Sequence, residues 1–253
     1  MIKLQHPLAS MKRIITCLAL TLVAASALAA DSSPKCSDDV VAAAKKLAQK
    51  DNYSWKTTVV VPPDAQFRPG PTEGKTQKDG VTFLTLSRRD STMDAVLKGG
   101  KGAMKTEDGW KSLSEASQDD GGGGFNPTRF MARMLQNYKM PAAEAEDLAG
   151  KTKDLKSADG VISGALTEEG AKQLMSFRRG APGGGQGPEV SGAKGTARFW
   201  VKDGVLTKYE YQVKGSMSFN GNDMDVDRTT TTEIKDVGTT KITVPEEASK
   251  KLS

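Results

Sequence analysis

The sequence predicts a single α+β domain dominated by antiparallel strands, and three observations carry that expectation. Val205, Thr207, Tyr209, Tyr211 and Val213 alternate with Lys208, Glu210, Gln212 and Lys214, the period-two pattern of a sheet with one buried and one wet face. Four Asp-Gly pairs, at 79–80, 108–109, 159–160 and 203–204, each lie between strand-like runs. Asp-Gly suits two-residue hairpins because both turn positions take positive φ. Third, helical stripes are confined to a few segments set apart from the strands. Hairpins join adjacent antiparallel strands, so a parallel α/β architecture is not expected.

In chain order, Met11-Lys12-Arg13 places two positive charges before an apolar stretch at residues 14–25, interrupted only by Thr16 and Thr21. Ala27-Leu28-Ala29 then supplies the small residues that a signal peptidase reads. Residues 1–29 are therefore expected to be a secretory signal, cleaved before Ala30 or Asp31. Met11 stands where a compact signal begins, so residues 1–10 are expected to reflect an upstream start. The apolar stretch falls short of the about 20 residues that span a bilayer. Cys17 follows Thr16 and too little apolar sequence, which argues against a lipoprotein site. Residues 30–253 then form one exported domain, periplasmic or secreted.

The first helix is expected to start at Ser37-Asp38-Asp39, with Val40, Ala44, Leu47 and Ala48 at helical spacing. Strands follow at 55–61, ended by Pro62-Pro63, then at 81–86 and 92–97, and 102–105 is expected to pair with 110–113. Asn126-Pro127 is a cap followed by proline at the first helical position. Phe130, Met131, Met134, Leu135 and Tyr138 form its apolar stripe, and Met140-Pro141 is expected to end that helix. Another helix is expected near 167–175, and a short one after Val244-Pro245. The glycine-rich segments near 119–124 and 178–193 are too poor in apolar side chains to order themselves and are expected to be flexible loops.

Composition removes several function classes. The chain has 36 basic and 31 acidic residues, and the first 30 residues hold three bases and no acid. The exported part thus carries 33 bases against 31 acids, without the basic patch and interleaved aromatics of a nucleic-acid binder. Its only cysteine is Cys36, expected to be a spare thiol in a flexible N-terminus. The one histidine, His6, precedes the cleavage point, which removes imidazole-based acid–base catalysis, triads and imidazole metal sites. No catalytic residue, metal site or cofactor is expected, and the chain reads as a non-enzyme. The segment 70–76 superficially resembles a phosphate loop, but its glycine spacing is one residue short and no helix follows; it reads as a hydrophilic loop. The run 222–227 alternates carboxylates and apolar residues, and Arg228 and Ile234 stand where a calcium loop needs Gly and Glu. A strand with a solvated acidic face fits it better.

The aromatic residues allow two readings: an ordinary core, or a sheet curled around helices that leaves an apolar cavity. In the second reading the lining candidates are Trp55, Phe83, Trp110, Phe130, Met134, Tyr138, Trp200, Tyr209 and Tyr211. Thioether-rich linings suit cavities for varied apolar ligands.

Several stretches carry a resemblance. A helix after the signal leads into a meander in which Gly109-Trp110 closes a strand, then to Asn126-Pro127 and to Asp147-Leu148-Ala149-Gly150-Lys151. A hairpin runs to Ala165-Leu166-Thr167-Glu168-Glu169, followed by Ala197-Arg198-Phe199-Trp200-Val201-Lys202-Asp203-Gly204-Val205 and a close at Ile242-Thr243-Val244-Pro245. This order resembles the periplasmic lipoprotein-carrier (LolA-like) half-barrel superfamily over roughly residues 37–252. The resemblance implies a curved antiparallel sheet, an open half-barrel, with helices packed on its concave face. It further implies a periplasmic binding or carrier protein that shields a lipid or acyl chain. The alternative is an envelope structural or interaction module of the same fold, with a filled core and a protein partner. None of the family's ligand-gating residues matches a position here.

Overall fold

A computed structural model describes residues 34–65, 68–88, 91–118, 126–176, 189–219 and 222–252. Eleven strands form one antiparallel sheet in the order β6-β5-β4-β3-β2-β1-β11-β10-β9-β8-β7. Two meanders make it. The first comprises β1 (Asn52–Val60), β2 (Thr72–Gln77), β3 (Thr82–Arg88), β4 (Ser91–Lys98), β5 (Lys101–Thr106) and β6 (Gly109–Ser112). The second comprises β7 (Thr152–Ala158), β8 (Val161–Leu166), β9 (Glu189–Lys202), β10 (Val205–Phe219) and β11 (Asn222–Lys235). They join where β11 pairs with β1, Trp55 opposite Ile234 and Thr57 opposite Thr232. β6 and β7 remain as the two edges, so the sheet is open and the α+β half-barrel expected from the sequence is what forms.

Helix α1 (Pro34–Ala48), α2 (Leu113–Ser117), α3 (Pro127–Gln136), α4 (Pro141–Gly150) and α5 (Glu168–Met175) supply the residues that cover the concave face, and the C-terminal α6 (Glu246–Lys251) packs on the opposite face. Side-chain caps start α2, α3 and α5. Ser112 and Glu115 form a reciprocal capping box on α2. The Asn126 side chain accepts from Arg129 N at 3.0 Å and Thr167 Oγ1 accepts from Gly170 N at 3.0 Å. Pro141 does not end α3 but opens α4 one turn later, at the first helical position, where its missing N–H costs nothing.

Two hairpins obey the Asp-Gly expectation fully: Asp159 and Gly160 have φ of 51° and 75°, Asp203 and Gly204 53° and 71°. At the other two pairs, only Gly80 and Gly109 are left-handed. β10 contains a bulge near Leu206 and Lys208. It turns Leu206 into the core, whereas Thr207 hydrogen-bonds Trp200 O at 3.1 Å. The alternation read from the sequence holds from Tyr209 onward.

Two expectations are corrected. The segment read as a hydrophilic loop is strand β2, hydrogen-bonded on both sides by β1 and β3. Its polar side chains gave no apolar period, but Gly74 lies against the Trp55 ring, where a Cβ would come within 2.1 Å of the indole. Cys36 is not in a loose N-terminus: α1 begins at Pro34, and Cys36 is buried in the core beside Val40. Of the glycine-rich segments, 119–124 and 178–188 lie outside the described residues, and Glu189 already belongs to β9.

Candidate functional site on the helix-covered face

The concave face carries the main core. Trp55, Phe199 and Tyr209 are its largest fully buried side chains, joined by Val40, Leu47, Leu84, Leu135, Leu148 and Leu155. In an otherwise apolar layer, polar side chains from β1, β11, β10 and the α3–α4 connection gather beneath and beside α4. All four tyrosines of the chain belong to this group. Trp55 Nε1 donates to Tyr138 Oη at 3.2 Å. Tyr209 Oη donates to Glu144 Oε2 at 2.5 Å. Thr57 and Thr232 share a hydroxyl hydrogen bond at 2.8 Å across the β1–β11 seam. The Tyr53 and Trp55 rings lie tilted at 5.7 Å between centroids. Arg228, on the same face of β11 as Thr230 and Thr232, donates from Nη2 to Leu174 O at 2.5 Å and ties α5 to the sheet.

Burial governs the acidity of this group. Desolvation pushes the Tyr53 phenol up to about 12, against a smaller opposing effect of the Ala142 N–H. Tyr211 is also pushed up to about 12, by burial first and by the Glu144 charge second. Tyr138 and Tyr209 are raised as well, both mainly by burial, and Glu144 adds to each shift. Glu144 itself is raised by desolvation, which outweighs the Tyr209 hydrogen bond and the Lys139 charge. Next to it on α4, burial pushes Asp147 up, but hydrogen bonds and charge from Lys151 and Lys139 prevail and hold it below the usual carboxylate range.

Of the nine lining candidates, the six on strands divide by parity, and Phe130, Met134 and Tyr138 are on or just after α3. Trp55, Phe130, Tyr138, Tyr209 and Tyr211 lie in or against the main core on the concave side. Met134 is on α3 and 38% exposed, while Met131 and Leu135 on the same helix are buried. Phe83 and Trp110 are on the other face, in a second cluster with Val81, Val96 and the C-terminal Ile242, Val244, Ala248 and Leu252. Trp200 stands between the core residues Phe199 and Val201 on β9, and the Lys208 ammonium sits 4.4 Å from its ring. Glu144, Thr57, Thr232 and Arg228 were not singled out from the sequence. Glu144 had a legible signal: it falls on the helical stripe Pro141, Glu144, Leu148.

Two clefts open elsewhere. One of about 350 Å³ is lined by Asp147, Lys151, Thr167 and Gln173, the other of about 300 Å³ by Lys101, Ser112, Gln136 and Lys251. Neither includes any of the nine candidates. Among the described residues, no cluster of histidine, cysteine or carboxylate side chains could hold a metal ion, and no helix is long and apolar enough to cross a membrane.

No protein-family model matches the chain, and no curated protein matches it. Among solved structures it is similar to LprF from Mycobacterium bovis, at 10% identity and a TM-score of 0.41, with 85% of this chain and 98% of that chain covered. It is similar to the lipoprotein LppX of Mycobacterium tuberculosis at 10% identity and a TM-score of 0.41, over 83% of this chain and 98% of that one. A LolA superfamily protein from Nitrosomonas europaea matches at 10% identity and a TM-score of 0.33, over 82% and 94%. These likenesses are of architecture alone, without bearing on ligand or chemistry.

Proposed function

We propose that this chain is an exported, periplasmic binding or carrier protein that shelters a lipid or acyl chain between the concave face and its helices. One observation carries the reading: the apolar face of an open sheet is covered by short separate helices, not by a second sheet. At the margin of that cover Phe130, Leu174, Val190 and Val226 are only partly buried against the core, and Met134 is exposed. The opposite face of β1, β2 and β9–β11 bears ion pairs, Lys56–Glu73 at 3.0 Å, Arg198–Glu210 at 3.7 Å and Lys214–Asp227 at 2.9 Å, and offers an acyl chain nothing.

Trp55, Phe199 and Tyr209 fill the space under the helices. A ligand enters by taking the place of helix contacts. Each buried CH₂ contributes about 0.8 kcal/mol, so a chain of about 16 carbons gains roughly 12 kcal/mol, offsetting the cost of lifting a short helix. No chemical step is involved.

The filled core also favours a second reading, an envelope interaction module of the same fold. Native mass spectrometry of protein purified gently from the periplasm, with extraction of bound lipid and uptake of a fluorescent fatty acid, separates the two. The carrier reading expects co-purified or acquired lipid, and about a tenfold loss of uptake for Met134→Asp with unchanged circular dichroism, about 1.4 kcal/mol. A clean apo mass with no uptake leaves the interaction module, and crosslinking would then seek its protein partner.

A further inference from the structure

Glu144 is the acidic side chain by which α4 meets the sheet, and its geometry suits a switch. One carboxyl oxygen accepts the Tyr209 hydrogen bond at 2.5 Å, and Tyr209 is fully buried. Glu146 and Asp147 on the same helix are turned to lysines: Glu146 to Lys45 of α1 at 3.7 Å, Asp147 to Lys139 at 2.9 Å and to Lys151. No such ion pair forms at Glu144 among the described contacts.

The groups facing Glu144 come from every neighbouring element. β10 contributes Tyr209 and Tyr211, β11 contributes Arg228, and the α3–α4 connection contributes Tyr138 and Lys139. On its own helix stands Asp147. β1 contributes Tyr53, beside Ala142 in the first turn of α4. Of the elements packed beside α4, α1 directs Lys45 outward to Glu146, and Lys46 reaches Gly204. β7 keeps Lys153, Asp154 and Lys156 exposed and buries only Leu155. The immediate surroundings are thus phenols and hydroxyls, with the cations Lys139 and Arg228 further out.

We propose that α4 is a proton-controlled cover: with Glu144 neutral it docks on the tyrosine cluster, and when the proton leaves to solvent the new charge loosens the helix and opens the concave face. The sign follows from burial. A carboxyl that resists ionisation when folded stabilises the docked state below its unfolded value of about 4.3, and that contribution is lost as pH rises through the folded value. Opening is therefore favoured toward neutral and alkaline pH. The device gives the proposed carrier a means of loading and release and rests on that reading for its purpose, but not for its test.

The test follows hydrogen exchange of the α4 amides of residues 145–150, corrected for intrinsic rate, from about pH 4.5 to pH 8, against α5 as internal control. For the unmodified protein, α4 protection is expected to fall about tenfold, while α5 stays unchanged. Glu144→Gln, which keeps an acceptor for Tyr209 but cannot ionise, is expected to abolish the pH dependence. Tyr209→Phe removes a hydrogen bond that favours the carboxylate and is expected to steepen it. An unchanged slope in Glu144→Gln, or equal loss of protection in α4 and α5, overturns the proposal. Because neither readout uses a ligand, a pH-dependent α4 without lipid uptake would overturn the carrier reading alone.

Discussion

Gly74 illustrates how one residue decides a local arrangement. Trp55 contributes the largest fully buried side chain, and its ring lies against Gly74 of β2, at a spacing that admits only hydrogen there. Replacing Gly74 by Ala would push a methyl group into indole atoms that cannot yield, since the same indole donates to Tyr138. The expected loss is about 1–3 kcal/mol, the usual cost of overpacking, read as a lower midpoint in chemical denaturation and as altered Trp55 emission. A wild-type midpoint in Gly74→Ala would show that the sheet tolerates a Cβ there. Glu144 is the contrasting case. Its place on an apolar stripe was visible in the sequence, but its partner Tyr209 lies 65 positions away, and no local pattern joins the two.

At the scale of elements, the C-terminal strap shows how a segment is held without a ladder. After β11 the chain turns at Asp236, which has φ of 49°, and Gly238 N and Thr240 N donate to Asn52 O and Oδ1 at 2.9 and 2.6 Å. It then crosses to the outer face, where Ile242, Val244, Ala248 and Leu252 cover Val81, Phe83, Val96 and Trp110, and Lys251 pairs with Glu115 at 3.1 Å. Phe83 and Trp110 therefore serve as the floor of this strap, a role set by their odd–even position in β3 and β6. Deleting residues 241–253 is expected to cost roughly 3 kcal/mol, the burial of about one to two apolar side chains, and to raise binding of a hydrophobic dye. Unchanged stability and dye binding would show the strap to be dispensable. Helix α4 was missed for an ordinary reason: Met140-Pro141 is equally a stop for one helix and a start for the next.

For the whole molecule, pH is the revealing variable. All four tyrosines lie in one desolvated group, and all four are raised above the ordinary phenol value. The folded state thus holds phenols neutral where the unfolded chain would ionise near pH 10. Below that value the stabilising contribution is complete; as pH rises through the folded values it is lost. Tyrosinate absorbance is accordingly expected to stay low in the folded protein up to about pH 10.5 and to appear in one step together with loss of ellipticity. A smooth titration near pH 10 in a fully folded protein would mean that the cluster is open to water.

The sequence by itself determined what is periodic and local. The strand alternation from Tyr209, the hairpins at Asp159-Gly160 and Asp203-Gly204, the capped starts of α3 and α5, and hence an antiparallel α+β fold all follow from neighbours a few residues apart. Tertiary structure alone decided the rest. It brought β11 against β1, made a strand of the polar stretch around Gly74, set Phe83 and Trp110 on the face opposite Trp55, Tyr209 and Tyr211, and set Glu144 against Tyr209. The physical reason is common to all four: each depends on contacts between residues far apart in the chain, whose loop-closure cost only the assembled sheet repays.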